Sequence, residues 1–324
     1  MKTKRAYLVK EREFEIREDD IFPAEDQILV KVKLCGLCNW ELHFYKGIGG
    51  KYYTNYPMVI GHEWTGVVVE KGNKVKNFEI GDKVSFLPGD FHGFAEYTVA
   101  NEADCYKLNP DVDFDNAMAE PLKCILTVLA NTKPAAGDFG LVLGCGPMGL
   151  WCVQALKGNL LQGLIAVDID DKKLALAKKF GATHTINSKK ENVVERIREI
   201  TNSDMCDFVI EGTGIPKLME NALHYLKRAG RLVIMSSHEG SCENFDFRPA
   251  ISKSLRIIVA HPGSTPSQEE DMKRAIALIN KGTFNNKEII THRFKLEEIN
   301  EAFQTLENKP SDYIKGVIEF DWEE

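Results

Sequence analysis

Apolar and polar residues alternate with a period of two through much of the first third of the chain, which predicts half-buried strands. Gln27–Cys35 (QILVKVKLC) is the clearest case. Further strands are expected at 5–9, 14–16, 64–72 and 94–100, and a turn followed by a strand at 78–86. Residues 44–60 contain several glycines and Pro57, and we expect a loop there. Many short strands between glycine turns predict a mostly β domain of barrel type.

The pattern changes near residue 120, and from Gly137 onward predicted strands alternate with predicted helices. The strands are expected at 139–144, 164–168, 207–211, 231–235 and 255–260, and the helices at 147–157, 172–180 and 191–201. This alternation predicts a parallel sheet with crossover helices. The last sixty residues do not continue it cleanly, so we assign them to the first domain. The predicted domains are therefore 1–120 with 265–324, and 121–264.

Composition narrows the possible functions. The 324 residues suit two domains, and 44% hydrophobic with 27% charged residues is typical of a globular protein. A net charge of −7 disfavours nucleic acid and anionic membranes as partners. The charged first twenty residues and the lack of long apolar runs predict a cytoplasmic location. In that reducing compartment the 8 cysteines are not expected to form disulfides.

A glycine-rich turn, GCGPMG at 144–149, follows an apolar strand and opens a predicted helix. Asp168 ends the next predicted strand. This context is typical of a dinucleotide site, in which glycines admit the pyrophosphate and the acid binds the ribose diol. Asp168 would repel a 2′-phosphate, so we expect NAD rather than NADP; the alternative is a turn that only permits tight packing. The expected cofactor-binding residues are Gly144, Gly146, Pro147, Met148, Gly149 and Asp168.

The segment from Cys35 to Glu63 offers a thiol, an imidazole and a carboxylate, which are ligand types of a catalytic zinc. We take Cys38, His62 and Glu63 as the proposed ligands. The Cys35–Cys38 pair has alternative interpretations as a redox motif or half of a structural zinc site. Cys35 continues the apolar face of its strand, which favours a core role. His62 alone would more often be a buried, hydrogen-bonded histidine.

These motifs resemble the medium-chain, zinc-dependent alcohol and polyol dehydrogenase family nearly end to end. The matching segments are GHE at 61–63, GDKV at 81–84, GFAEY at 93–97, EPL at 120–122, the 144–149 turn with Asp168, and ITH at 290–292. The resemblance implies an α/β fold with a GroES-like β-barrel catalytic domain and a Rossmann domain. It implies Cys38 and His62 as zinc ligands, with one or both of Glu63 and Glu120 approaching the metal.

Three departures from the family pattern matter. The lobe of four clustered cysteines that binds a structural zinc is missing between Asp82 and Gly93, so one zinc per chain is expected. Trp40 replaces the Ser or Thr that begins the family's proton relay, and its indole cannot accept a proton. Glu41 replaces the Asp that holds a zinc-bound histidine.

The expected reaction is hydride transfer between NAD(H) and a secondary alcohol, with zinc as Lewis acid on the oxygen. The proton then needs another route, for which His43, the match to the family's relay histidine, Glu120 and His92 are candidates. For His92 the alternative, a surface-loop histidine, is favoured. We expect Trp40 to shape the substrate pocket by stacking on a sugar or cyclitol ring. NWEL at 39–42 resembles a sub-branch associated with polyols and related bulky alcohols. The tyrosines of the 44–60 loop, Tyr52, Tyr53 and Tyr56, would suit such a ligand.

Two other functions compete with this one. A zinc-free quinone-type reductase of the same fold also lacks the lobe, but it would not need the four metal-type residues. A non-catalytic, NAD-binding protein would be consistent with the missing relay hydroxyl. The expected partners are a small-molecule alcohol or carbonyl substrate and further copies of the chain, in a homodimer or homotetramer. The expected contact is the edge of the Rossmann sheet at Leu255–Ala260.

Overall fold

The computed structural model describes residues 1–48, 55–87, 91–237 and 244–321. The chain divides into two compact units, Met1–Leu122 with Met272–Glu324, and Lys123–Asp271. The first unit is thus assembled from two separate stretches of chain, and the second is inserted between them. Each unit contains its own sheet and its own hydrophobic core.

Among the described residues, the first part of the chain forms mostly strands, and later strands alternate with helices. The strands are β1 (Lys2–Lys10), β2 (Glu13–Asp20), β3 (Gln27–Gly36), β4 (Glu63–Lys71), β5 (Lys83–Phe86), β6 (Tyr97–Asn101), β7 (Cys105–Lys107), β8 (Phe139–Leu143), β9 (Gly163–Asp168), β10 (His184–Asn187), β11 (Cys206–Glu211), β12 (Leu226–Ile234), β13 (Arg256–Val259), β14 (Ile290–Phe294) and β15 (Lys315–Glu319). The helices are α1 (Glu41–Tyr45), α2 (Ala119–Thr132), α3 (Pro147–Leu156), α4 (Asp171–Phe180), α5 (Val193–Ile200), α6 (Pro216–Tyr225), α7 (Arg248–Lys253), α8 (Gln268–Asn280) and α9 (Ile299–Asn308).

In the first unit the strands run in the order β14-β15-β3-β4-β5-β7, with β6 also paired to β3 and β1-β2 forming a separate hairpin. β3 alternates as its sequence predicts: Ile28, Val30 and Val32 are buried, while Lys31 and Lys33 are partly exposed. Phe303 of α9 contributes a large apolar ring to the same core. β15, from the C-terminal stretch, pairs with the end of β3, and this pairing positions the chemistry described below.

In the second unit the described strands form a parallel sheet in the order β10-β9-β8-β11-β12-β13. The order reverses between β8 and β11, and in open sheets of this kind ligands bind at such a reversal, outside the carboxyl ends of the strands. Its core is built from strand residues such as Leu141, Val167 and Val209, packed against Ala222 and Leu223 of α6. The predicted α/β class is confirmed. No helix in the described ranges combines the length and apolar character needed to cross a membrane.

Candidate active site

Two glycines make room for the metal-type residues at the ends of β3 and β4. The pairing of these strands sets Gly36 opposite Glu63, and a Cβ at Gly36 would lie 2.2 Å from Glu63 Oε2. Gly61 has φ +112°, and a Cβ there would lie 2.6 Å from the backbone nitrogen of Phe94. Only glycine suits both the dihedral and the close approach. The GHE segment therefore enters β4 in a conformation that other residues would disrupt.

Cys38, His62 and Glu63 converge on one point of the first unit. Single ligand atoms of the three residues, the thiol sulfur, a ring nitrogen and a carboxylate oxygen, all lie within 4.8 Å of one another. His62 and Glu63 are buried and Cys38 is partly exposed. Glu120 Oε2 is 4.0 Å from His62 Nε2. Three protein donors of these types, with a carboxylate nearby, fit the ligand set of a catalytic zinc.

Glu41, at the start of α1, holds the far side of the His62 ring. Its Oε1 atom is 2.8 Å from His62 Nδ1 and accepts a hydrogen bond of 2.8 Å from the Gly61 N–H. A carboxylate can only accept, so Nδ1 carries the proton and Nε2 points to the metal-type cluster. Burial opposes charging, but Glu41 and Cys38 raise the pKa of His62 well above its ordinary value. A cation at Nε2, a proton or a metal ion, is therefore favoured.

Lys315 is a member of this cluster that the sequence patterns did not reveal. It is 4% exposed, and its Nζ lies 2.5 Å from Glu63 Oε2 and donates to Leu37 O at 2.9 Å. Burial lowers the pKa of Lys315, but the charges of Glu63 and Cys38 outweigh this and raise it. For Glu63, burial raises the pKa, and Lys315 and His62 lower it overall. The sequence signal that could have revealed Lys315 is its place inside the apolar segment YIKGVIEF, because a buried lysine requires a charged partner.

Two aromatic rings, Trp40 and Phe91, lie beside His62, and Phe44 packs against Trp40. Trp40 is 46% exposed and its ring centroid is 5.5 Å from that of His62, at an interplanar angle of 89°. Phe44 meets Trp40 edge to face at 4.7 Å, and Phe91 lies 5.4 Å from Trp40 and 5.9 Å from His62. These three rings, Trp40, Phe44 and Phe91, are called the aromatic wall below. Phe91 was not among the residues predicted from sequence.

The other candidate residues are placed as follows. His43, on α1, is partly buried, and its Nδ1 lies 3.1 Å from the backbone oxygen of Trp40. Tyr56 donates to the backbone oxygen of Phe44 at 2.8 Å, whereas Tyr52 and Tyr53 lie outside the described residues. Cys35 is fully buried in the barrel core. His92 is partly buried and directly follows a residue of the aromatic wall.

The glycine turn of the second unit has the geometry of a nucleotide-binding turn. Gly144 has φ +95°, and a Cβ at Gly149 would lie 1.9 Å from Gly144 O, so α3 packs close to β8. A Cβ at Gly146, by contrast, would have no heavy atom of the described residues within 4 Å apart from its chain neighbours. Pro147 is the first residue of α3, and Met148 follows it. Free N–H groups at such a helix start suit a pyrophosphate.

Asp168, at the end of β9, is joined to this turn. Its Oδ2 accepts from the Cys145 N–H at 2.6 Å, and its Oδ1 accepts from Ile169 and Asp170 at 2.7 and 3.0 Å. A carboxylate has about four acceptor positions, so capacity for a ribose hydroxyl is left. Asp168 therefore shapes the turn as well as offering a charge beside it.

Comparisons with known proteins bear on both units. Residues 24–110 match the family described as alcohol dehydrogenase GroES-like domain, and residues 147–281 match zinc-binding dehydrogenase. D-xylulose reductase A of Aspergillus niger is 30% identical over 312 residues, which cover 86% of each chain. The chain belongs to the medium-chain, zinc-dependent alcohol and polyol dehydrogenase family.

Other members of this medium-chain dehydrogenase family match this chain over nearly its whole length. Sorbitol dehydrogenase of Bacillus subtilis (strain 168) is 28% identical over 327 residues, covering 90% of each chain. A crystal structure of an Escherichia coli oxidoreductase/dehydrogenase of unknown specificity superposes with a TM-score of 0.88 at 26% identity. That match covers 99% of this chain and 100% of the other. The predicted family, its GroES-like and Rossmann domains and its oxidoreductase class are confirmed, and zinc and a nicotinamide dinucleotide are typical of the family.

Proposed function

We propose that this dehydrogenase transfers hydride between NAD(H) and a secondary alcohol of a polyol, sugar alcohol or cyclitol, using one zinc. The observation that carries the proposal is the cluster of Cys38, His62 and Glu63 ligand atoms within 4.8 Å of one another. A zinc-free reductase of this fold would have no use for a partly exposed thiol arranged in this way with a buried imidazole and a buried carboxylate. Their cost in desolvation is offset when they share a cation.

The zinc would be held by Cys38 and His62, with Glu63 or Glu120 as the third protein ligand. When bound, it supplies Lewis-acid polarisation of the substrate oxygen. Glu41 keeps the His62 ring turned so that Nε2 faces the cluster. Lys315 engages one oxygen of Glu63, which leaves the other oxygen for a metal. The protein thus orients two of its proposed ligands through charged neighbours that do not bind the metal themselves.

NAD is the proposed cofactor, bound by the second unit. The glycine turn would receive the pyrophosphate at the start of α3, and Asp168 would accept from the adenosine ribose. The Asp168 carboxylate would repel the additional phosphate of NADP at the same position. NADP-linked turnover should therefore be the weaker activity.

His43 is the proposed group for accepting the substrate's proton. Because the Trp40 carbonyl can only accept a hydrogen bond, His43 Nδ1 carries a proton, and Nε2 is the nitrogen that would take the substrate's proton. Trp40 has no acceptor of its own, so its side chain takes no part in that transfer. Glu120, 4.0 Å from His62 Nε2, is the second candidate.

The aromatic wall supports a substrate with a broad carbon face. C–H faces of polyols and ring sugars pack on aromatic rings, while their hydroxyls point elsewhere. Two relatives are named for molecules of that class, sorbitol dehydrogenase and D-xylulose reductase A. We infer that Trp40 lies against the substrate carbons next to the reacting alcohol.

A substrate screen tests this function directly. Zinc-replete protein should reduce NAD with at least one polyol, sugar alcohol or cyclitol in a broad panel, and treatment with a chelator should abolish the signal. Turnover of quinones with NADPH, unaffected by the chelator, would favour the zinc-free reductase. Retained NADH binding with no turnover on any substrate would favour a non-catalytic protein.

Assembly and location are further parts of the proposal. β13 is the last strand at one side of the parallel sheet as described, and Ile257 and Val259 on it are 41% and 61% exposed. Apolar side chains on a sheet edge favour pairing with another strand. A homodimer or homotetramer joined through β13, in the cytoplasm, would satisfy this edge, and its mass in solution is measurable by light scattering.

A further inference from the structure

Glu211 is a fully buried carboxylate at the carboxyl end of β11. It lies beside the reversal of strand order, since β11 pairs with β8 on one side and β12 on the other. Leu143, which directly precedes the glycine turn, is its register partner on β8. A buried charge at the place where such sheets bind ligands requires a reason.

The Glu211 side chain gathers donors from two neighbouring loops. Its Oε1 accepts from the backbone N–H of Thr213 at 2.7 Å, from that of Gly214 at 3.2 Å and from the Thr213 hydroxyl. Its Oε2 accepts from the hydroxyl of Ser236, which lies just beyond β12. Hydrogen bonds to a charged acceptor are stronger than neutral ones. One carboxylate therefore ties the segment after β11 to the segment after β12.

This network also orients Thr213 toward the glycine turn. The Thr213 hydroxyl donates to Glu211 and accepts from the Ile215 N–H at 3.2 Å, which holds the rotamer. The Thr213 methyl carbon then lies 3.0 Å from where a Cβ of Gly144 would be. Loss of the Glu211 carboxylate would release this rotamer and the packing against Gly144.

We propose that Glu211 is a positioning residue for the nicotinamide half of the dinucleotide, an inference that rests on the proposed use of NAD. The sheet has two mononucleotide-binding halves, and Asp168 on β9 marks the one for adenosine. Glu211 belongs to the other half, with β11 and β12. It holds in place the loops that follow β11 and β12, and it does not contact the reacting atoms.

The test compares two probes, NADH and AMP, on full-length, zinc-loaded protein by calorimetry. Glu211→Ala should raise the Kd for NADH about tenfold, while the Kd for AMP changes less than about twofold. Glu211→Gln keeps an acceptor for the backbone donors and offers its amide to Ser236, so it should stay within about threefold of wild type for NADH. Glu220→Ala removes a buried carboxylate of α6 in the same unit and should leave both constants unchanged.

Equal increases in the Kd for NADH and for AMP in Glu211→Ala, or an unchanged Kd for NADH, would overturn the positioning role. If Glu211→Ala does not fold, the double variant Thr213→Val, Ser236→Ala removes only the two hydroxyl donors and should show the same selective loss for NADH. If the double variant weakened NADH and AMP binding equally, or did not weaken NADH binding, the positioning role of Glu211 would also be overturned. Failure of the wild type to bind NADH would instead refute the proposed cofactor, and this inference with it.

Discussion

Lys315 Nζ lies 2.5 Å from Glu63 Oε2, and both side chains are buried. The two residues are 252 positions apart in sequence and meet because β15 pairs with β3, which in turn pairs with β4. Lys315 thus supplies a fixed positive charge behind a proposed zinc ligand. This arrangement predicts that the fold tolerates loss of the metal.

Replacing Lys315 tests that role. Lys315→Met removes the cation that contacts the buried Glu63 carboxylate and leaves only the titratable His62 near it. Removing one partner of a buried ion pair costs about 3–5 kcal/mol when nothing else compensates. The variant should therefore lose much more thermal stability than wild type when a chelator removes zinc, as measured by the shift in Tm. Lys33→Met is the matched control, because Lys33 on β3 also pairs with a carboxylate, Glu319 at 3.8 Å, but this pair is partly exposed and Glu319 is not a proposed zinc ligand. Equal chelator sensitivity of Lys315→Met and wild type would refute the compensating role.

The same pair predicts a pH profile for the zinc-free protein. The Lys315 pKa is raised in the fold, so its stabilising contribution is complete below about 10.4, the pKa of unfolded lysine, and is lost as pH rises through the higher folded value. The Glu63 pKa is lowered, so its contribution is complete above about 4.3 and is lost as pH falls through the folded value. Thermal unfolding at intervals from pH 3 to 11 should show a smaller alkaline loss for Lys315→Met than for wild type. Parallel alkaline limbs would contradict this.

Glu41 should control zinc affinity through His62. Glu41→Ala removes the acceptor of the Nδ1 proton and of the Gly61 N–H, and loss of such a partner typically weakens metal binding about 10- to 100-fold. Glu41→Gln keeps an oxygen acceptor without the charge, so its zinc affinity should lie between those of wild type and Glu41→Ala. Competition with a chromogenic chelator measures the affinity. An unchanged affinity in Glu41→Ala would mean that Glu41 only packs.

Asp168 should discriminate between NAD and NADP, and the structure shows which variant changes the charge with the smaller disturbance of the glycine turn. Asp168→Ala also removes the acceptor of the Cys145 N–H, so the glycine turn itself is disturbed. Asp168→Asn removes the negative charge and keeps one of the two oxygen acceptors, either for the Cys145 N–H or for the N–H groups of Ile169 and Asp170, so it disturbs the turn less than Asp168→Ala. The ratio of kcat/KM with NAD to that with NADP should fall about tenfold or more in Asp168→Asn. A ratio equal to that of wild type would show that Asp168 is not the ribose partner.

Trp40→Ala should change substrate choice and leave the metal in place. Removal of the ring opens the aromatic wall, and kcat/KM for the preferred substrate should fall about tenfold relative to a small secondary alcohol. Zinc content and Tm should match wild type, because Trp40 is 46% exposed and contacts His62 only through its ring. A drop in zinc content or Tm would assign Trp40 to packing instead.

The parts of the site that sequence patterns can predict are those encoded locally. The 144–149 turn lies between a strand and a helix that its own neighbours specify, and Cys38, His62 and Glu63 fall within one short segment. The Glu63–Lys315 and Trp40–Phe91 contacts depend on pairing and packing between distant segments. Local patterns contain no information about such contacts, so these partners were missed.

Elements were missed for similar reasons. α2 carries Pro121 in its first turn, where a proline is compatible with a helix although it interrupts one elsewhere. β7 has only three residues and α1 only five, too few for a periodic pattern to show. β14 is a polar strand, EIITHRF in its sequence context, and its pairing with β15 rather than its composition makes it a strand.

Zinc content is the most direct test of the metal site. Protein expressed with adequate zinc and freed of loosely bound metal should contain about one zinc per chain by mass spectrometry of the metal. Cys38→Ser and His62→Ala should each contain almost none and be inactive, while Cys35→Ser, at the buried core cysteine, should retain the metal if it folds. Wild-type protein without zinc, or full zinc and activity in Cys38→Ser or His62→Ala, would contradict the assignment of the site.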